Sequence, residues 1–145
     1  MMSPKTVRLS VELPEDTQYV RVIRRLSACL LEDLHVAREV VEDVETVVGE
    51  ICTNVVRHAR SERGLYRLTL EVSTDRLVVI VQDRGPGFDP AYVPLPGTLR
   101  PDADGGLRIG GMGLPLLASL TDRLAFLPAD PHGTTVRAEV SLRPA

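Results

Sequence analysis

The 145-residue sequence predicts an α/β fold of the α+β kind: a two-layer sandwich whose sheet is mixed and mostly antiparallel, with helices on one face. Three segments, within 7–13, 67–73 and 135–142, alternate apolar and polar residues, which is typical of strands with one buried and one solvated face. Two long segments repeat apolar residues at helical spacing. A wholly apolar run, Leu77–Val81, indicates a central strand.

The elements follow one another in an order that fits this sandwich. The predicted strands are Val7–Leu13, Leu68–Val72, Leu77–Val81, Arg123–Leu127 and Val136–Leu142. A first helix begins at Pro14–Thr17 and carries apolar residues at Val20, Ile23, Leu26, Leu30 and Leu34. A second helix runs from about Val36 to Ala59 with a valine stripe, and a third begins near Gly111–Gly113. Residues 84–110 are rich in Gly and Pro without periodicity, and we expect a functional lid at about 88–110.

Length, composition and charge indicate one domain spanning residues 1–145. The chain is 43% hydrophobic and 26% charged, which excludes global disorder, and its net charge of −3 does not favour binding to nucleic acid. The N-terminus lacks the apolar region of a signal peptide, and no apolar run approaches the length of a membrane span. We therefore expect a cytoplasmic protein, with Cys29 and Cys52 as reduced thiols in the core.

A first polar cluster lies on the second predicted helix. Glu50, Asn54 and His58 are four residues apart, so they form a row along the border of the valine stripe. A carboxylate and a carboxamide in that arrangement can orient a hydroxyl group and bind a hard cation such as Mg²⁺. On spacing alone, the row is also explained as the polar border of an amphipathic helix.

A second cluster follows the central strand. Asp83 closes the apolar run, and Gly85 and Gly87 come directly after it. A carboxylate at the end of a strand can accept a hydrogen bond from an amino group such as that of adenine, and the glycines allow the backbone to approach a ligand closely. A plain turn is the alternative interpretation.

A third cluster, Gly105–Leu114, opens the third predicted helix. Glycines at a helix start leave backbone N–H groups at the positive end of the helix dipole, which suits a polyphosphate. The pattern fits neither the P-loop nor the Rossmann fingerprint. A flexible hinge is the alternative interpretation.

The three clusters in this order resemble the GHKL ATPase superfamily, and within it the small bacterial anti-sigma-factor serine/threonine kinases. The resemblance covers essentially the whole chain and implies that superfamily's sandwich fold. It also implies binding of ATP and Mg²⁺, with Asn54 as the metal ligand and Glu50 as the general base for a seryl or threonyl hydroxyl. Asp83 would hold the adenine amino group. The other implied nucleotide-binding residues are Gly85, Gly87, Arg108, Gly110, Gly111, Met112, Gly113, Leu114 and Thr134.

The resemblance further implies a sigma factor and an anti-sigma-factor antagonist as partners, with the antagonist phosphorylated on Ser or Thr, and a homodimer. A non-catalytic ATP-binding module that sequesters a partner remains an alternative, because nothing in the sequence excludes it. A histidine-kinase catalytic domain would follow a dimerisation helix pair for which this chain has no room. A gyrase-type or chaperone-type ATPase needs a longer chain.

Overall fold

The structure of the protein is a computed structural model that describes residues 5–58, 64–83, 113–128 and 133–142. Its strands are β1 (Val7–Pro14), β2 (Leu65–Val72), β3 (Arg76–Asp83), β4 (Arg123–Pro128) and β5 (Thr134–Ser141). Its helices are α1 (Thr17–Asp33), α2 (Arg38–His58) and α3 (Gly113–Leu120). The predicted order of elements is confirmed.

The five strands form one open sheet in the order β1-β2-β3-β5-β4, and each of the four pairings among them is antiparallel. The apolar run predicted to be central is β3, which lies in the middle of the sheet. Val78 points away from the helices, yet it is only 8% exposed. Glu71 and Glu139 flank it on the neighbouring strands, so their side chains shield the apolar position from water.

The core lies between the inner face of the sheet and the helix layer. The valine stripe of α2 is fully inside this core, with Val44, Val47 and Val48 at 0% exposure. Leu68, Leu70 and their alternating neighbours on β2 supply the opposite wall. The expected arrangement, helices on one face of the sheet, is therefore confirmed.

Helix α1 begins where the sequence indicates, because the Asp16 carboxylate accepts a hydrogen bond from the Gln18 backbone N–H at 3.1 Å and so caps the first turn. Its predicted apolar face is partly wrong. Val20 and Ile23 are buried and Leu30 is partly buried, but Leu26 is 42% exposed and Leu34 41% exposed. The buried residues of α1 extend from Val20 to Leu31 along one face of the helix, and at 100° per residue Leu26 lies about 120° around the helix from Val20.

The prediction that both cysteines lie in the core is wrong for Cys29, which is exposed, and confirmed for Cys52, which is 0% exposed. At 100° per residue, Cys29 lies about 180° around α1 from Val20, on the side opposite the core. Among the described residues, no helix is both long enough and apolar enough to cross a membrane.

Candidate functional site

Three buried polar side chains form a row at one end of the sheet. Asp83, the last residue of β3, is opposite Tyr66 of β2 on one side and Thr134 of β5 on the other. All three are buried, with exposed fractions of 2%, 2% and 4%. Side chains directly opposite one another on antiparallel strands lie about 4.5–5.5 Å apart at Cβ, so the Asp83 and Thr134 side chains are neighbours on the helix-facing side of the sheet.

Gly133 positions Thr134 at the start of β5. Its φ of +117° lies in the left-handed region, where a side chain would be strained. Because glycine adopts this conformation without strain, β5 can begin at the next residue, Thr134, which pairs with Asp83.

The second wall of the site is α2. Glu50 and Asn54 lie one turn apart on this helix, Glu50 half-buried and Asn54 only 3% exposed. The Asn54 Oδ1 atom is buried and has no hydrogen-bond partner among the described residues. A buried amide oxygen without a partner costs about 1–3 kcal/mol, so its retention calls for a ligand.

The Asn54 side chain fits a magnesium ion. Mg²⁺ prefers oxygen ligands and commonly takes only one or two from the protein. The unpartnered Oδ1 atom is such an oxygen, and the Glu50 carboxylate lies on the same border of the helix. These residues are therefore chemically suited to hold the ion.

Cys52 lies between Glu50 and Asn54 in the sequence, but its chemistry is different. Burial raises the pKa of its thiol to about 12, so the thiol is neutral and unreactive near pH 7. Burial, followed by the neighbouring Cys52, also raises the pKa of the Tyr66 hydroxyl. Both groups are therefore neutral near pH 7.

Sequence analysis did not single out Tyr66. Its signal was present, because Tyr66 lies two residues before Leu68 in an alternating segment and so belongs to the buried face. The local pattern does not show which residue of β3 lies beside it.

The remaining predicted site residues are only partly covered by the structure. Gly113 is the first residue of α3 and Leu114 the second, and α3 contacts α2 in the helix layer. His58 is the last residue of α2. Gly85, Gly87, Arg108, Gly110, Gly111 and Met112 lie outside the described residues, as does the expected lid at 88–110.

Comparison with known proteins gives one family and a set of relatives. Residues 13–140 match the histidine kinase-like ATPase domain family. The serine-protein kinase RsbW of Halalkalibacterium halodurans is 33% identical over 126 residues, which cover 83% of this chain and 75% of the relative. The serine-protein kinase RsbW of Staphylococcus epidermidis is 32% identical over 123 residues, which cover 80% and 76%.

A solved structure shares the fold. A chain in the crystal structure of the SiaB-SiaC complex from Pseudomonas aeruginosa superposes with a TM-score of 0.68. The match covers 94% of this chain and 90% of that chain at 16% identity. At that identity the likeness supports the fold.

Proposed function

Since the chain belongs to the histidine kinase-like ATPase domain family, we propose that it is an anti-sigma-factor type serine/threonine kinase. In this proposal it binds a sigma factor and phosphorylates an anti-sigma-factor antagonist on Ser or Thr. The single observation that carries the catalytic part is the unpartnered, buried Asn54 Oδ1 atom one helical turn from the Glu50 carboxylate. The curated relatives are named serine-protein kinases, which supports the same class of reaction.

Asp83 and Thr134 would bind and orient the nucleotide base. A buried carboxylate accepts a hydrogen bond from an exocyclic amino group strongly, because little water competes in the pocket. The Thr134 hydroxyl, beside Asp83 in register, offers a second polar contact on the adenine side. Together they favour adenine over a base with a carbonyl oxygen at that position.

Asn54 would hold Mg²⁺ through Oδ1, and Gly113 and Leu114 would lie near the phosphates at the start of α3. The bound Mg·ATP supplies the phosphoryl group and, through the metal, neutralises charge on the phosphates. The N-terminus of α3 also presents backbone N–H groups, which attract anions.

Glu50 would act on the acceptor. Its carboxylate is half-buried, so it is reachable from the border of α2 while α2 holds it in place. In this position it would orient the seryl or threonyl hydroxyl of the partner protein and accept its proton. A positioned general base contributes about 10²–10⁴-fold to rate.

Separate substitutions of Glu50 and Asp83 test this division of roles. Glu50→Gln should lower phosphoryl transfer by at least about 10²-fold and leave ATP affinity nearly unchanged, because the base acts on the acceptor. Asp83→Ala should weaken ATP binding about ten- to a hundredfold through the loss of a charge-assisted hydrogen bond. Calorimetry with Mg·ATP measures affinity, and labelled ATP with partners captured from the native host measures transfer.

Glu42→Gln is the matched control, because Glu42 lies on α2 with its side chain 64% exposed, away from the site. It should change neither measurement. Equal losses of ATP affinity from Glu50→Gln and Asp83→Ala would contradict the separate roles. Transfer at the wild-type rate by Glu50→Gln would remove Glu50 as the base, and ATP binding with no transfer to any captured protein would favour the sequestering module.

A further inference from the structure

A cavity of about 570 Å³ lies at the edge of the sheet where β4 begins. Its lining includes Ala118 and Thr121 near the end of α3, Arg123, Leu124 and Ala125 of β4, and Arg137 of β5. Leu124 is 4% exposed and faces the helix layer, whereas Arg123 and Ala125 face the other side of the sheet. Because residues from both faces of the sheet line the cavity, it lies along the edge of β4.

Strand β4 is the last strand of the described sheet, where it has a neighbour on one side only, namely β5. An edge strand of this kind presents backbone N–H and C=O groups that an extended segment can pair with. The six residues of β4 are long enough for such a pairing.

The charge at this edge is positive. The Glu139 carboxylate already accepts hydrogen bonds from Arg76, at 3.0 Å on one oxygen, and from Arg137 on the other. Arg123 lies opposite Glu139 in register and close enough for its charge to act on that carboxylate, but within the described residues it has no ion pair of 4.0 Å or shorter. Of the residues that the structure describes, three arginines (Arg76, Arg123 and Arg137) and two acidic residues (Glu139 and Asp122) lie at this edge, which leaves one surplus positive charge among them.

An exposed apolar side chain lies on the same face of β4. Leu127 is 47% exposed, and it is separated from Arg123 by the small residue Ala125. At about 3.3 Å per residue, Leu127 lies about 13 Å from Arg123 along the strand. The outer face of the edge therefore offers a cation and an apolar contact at strand spacing.

We propose that β4 is a docking edge for an extended segment of a partner protein, which adds to the sheet as a sixth strand. The segment carries a carboxylate side chain that pairs with Arg123 and, four residues away on the same face, an apolar side chain that covers Leu127. The Arg123 end of this edge is distant from the proposed nucleotide site, because Glu139 lies five residues beyond Thr134 on β5, about 17 Å from the Asp83 row. The Leu127 end lies opposite Thr135, next to Thr134, but the Leu127 side chain is on the outer face of the sheet.

A short peptide provides the test, and no nucleotide is needed, so its failure is distinguishable from failure of the kinase proposal. The probe is a blocked, fluorescent hexapeptide with valine first, glutamate fifth and threonine elsewhere. Its binding to the full chain is followed by fluorescence anisotropy at low and high salt. We expect binding that weakens as salt rises, and that weakens at least about tenfold when lysine replaces the glutamate.

Two further probes separate strand addition from simple charge attraction. The same peptide with N-methyl groups at alternate backbone positions keeps its charge but cannot form the ladder of hydrogen bonds along one edge. We expect it to bind at least about tenfold more weakly. Equal binding of the methylated and unmethylated peptides overturns the proposal.

Variants of the chain locate the peptide. Arg123→Glu and the milder Arg123→Gln should both reduce the preference for the glutamate peptide over the lysine peptide. Arg38→Glu makes the same charge change at an exposed position on α2 and should leave that preference intact. An unchanged preference in both Arg123 variants overturns the proposal. Sedimentation that shows wild-type dimers dissociating in Arg123→Glu would assign the edge to a second copy of the chain instead.

Discussion

The residues around Glu139 lower the pKa of its carboxyl group. It lies on the face of the sheet away from the helices, yet its side chain is only 8% exposed, because Arg76 and Arg137 lie over it. Burial alone would raise the pKa of this carboxyl. The hydrogen bond from Arg137 and the positive charges of Arg137, Arg76 and Arg123 outweigh that effect and hold the pKa of Glu139 below its ordinary value.

Glu139→Gln should therefore lower the free energy of unfolding near pH 7 by about 1 kcal/mol, a modest loss because both arginines are partly exposed. A carboxylate with a lowered folded pKa stabilises the fold above its unfolded pKa, about 4.3, and the contribution is lost as pH falls through the folded pKa. Urea unfolding at pH 7 and at about pH 2.5 measures the change.

The expected result is a difference between wild type and Glu139→Gln that shrinks as the solution becomes more acidic. Glu12→Gln is the control, because Glu12 pairs with Arg67 at an exposed position and should have a smaller effect. A difference of constant size at every pH would mean that the Glu139 charge contributes nothing to stability.

For Asn54 and Cys52, residue spacing predicts the position on the helix but not the surroundings of the side chain. The spacing from Glu50 to Asn54 predicted a polar row on one helix, and the structure brings both to the border of α2. The helical period does not reveal that Asn54 Oδ1 lacks a partner or that the Cys52 thiol is fully enclosed. Those properties depend on atoms contributed by other elements.

Helix α1 ends in two backbone hydrogen bonds and a left-handed residue. The Val36 N–H donates to the Leu31 carbonyl and the His35 N–H to the Glu32 carbonyl, each at 3.0 Å, which is the Schellman arrangement. The residue after the C-cap must then be left-handed, and His35 has a φ of +62°. Glycine is the residue that this position favours.

His35→Gly should raise the free energy of unfolding by about 0.5–1 kcal/mol, because the left-handed conformation costs a side chain more than it costs glycine. Thermal unfolding followed by circular dichroism should show a melting temperature a few degrees higher, about 2–4 °C. Ser27→Gly, inside the same helix, should lower it. A lower melting temperature for His35→Gly would contradict the strain argument.

The sequence predicted the buried faces of the strands correctly, but it predicted the buried face of α1 only in part. Alternation has a period of two, so it reveals the buried face of β1, β2 and β5 without knowledge of the partner strands. A helix can turn about its axis by small angles and still bury several apolar residues. Leu26 and Cys29 were therefore placed on the wrong side of α1.

The whole molecule depends on one core between the helix layer and the sheet. Leu70, near the middle of β2, is 0% exposed and faces the helix layer, between its register partners Leu9 and Val79. The described elements of the proposed nucleotide site, α2, α3, β3 and β5, all contribute side chains to this core. Loss of core packing should therefore weaken the entire fold.

Leu70→Ala should reduce the free energy of unfolding by about 2–5 kcal/mol, because it leaves a cavity that the sheet cannot close. Val22→Ala, on the 54% exposed side of α1, should change it by less than about 0.5 kcal/mol. Chemical denaturation of the three proteins measures both values. Equal effects at the two positions would show that the core is not where the structure locates it.

Several expectations for the whole chain stay predictions. These are the single domain over residues 1–145, the lid at 88–110, the cytoplasmic location, the homodimer and the identity of the partners. The glycine-rich segments that would complete the phosphate site lie outside the described residues. The substitutions described above test the roles of Glu50 and Asp83, and the roles of Asn54 and Thr134 stay predictions.

Periods of two and of about four residues were enough to assign most strands and helices, their order and the helix-covered sheet, because those periods reflect local backbone geometry. Strand pairing across long stretches of chain was needed to bring Asp83 between Tyr66 and Thr134 and to put Arg123 on the last strand of the described sheet. Which atoms are buried, paired or left without a partner depends on the element that covers them. Local spacing carries no information about that neighbour.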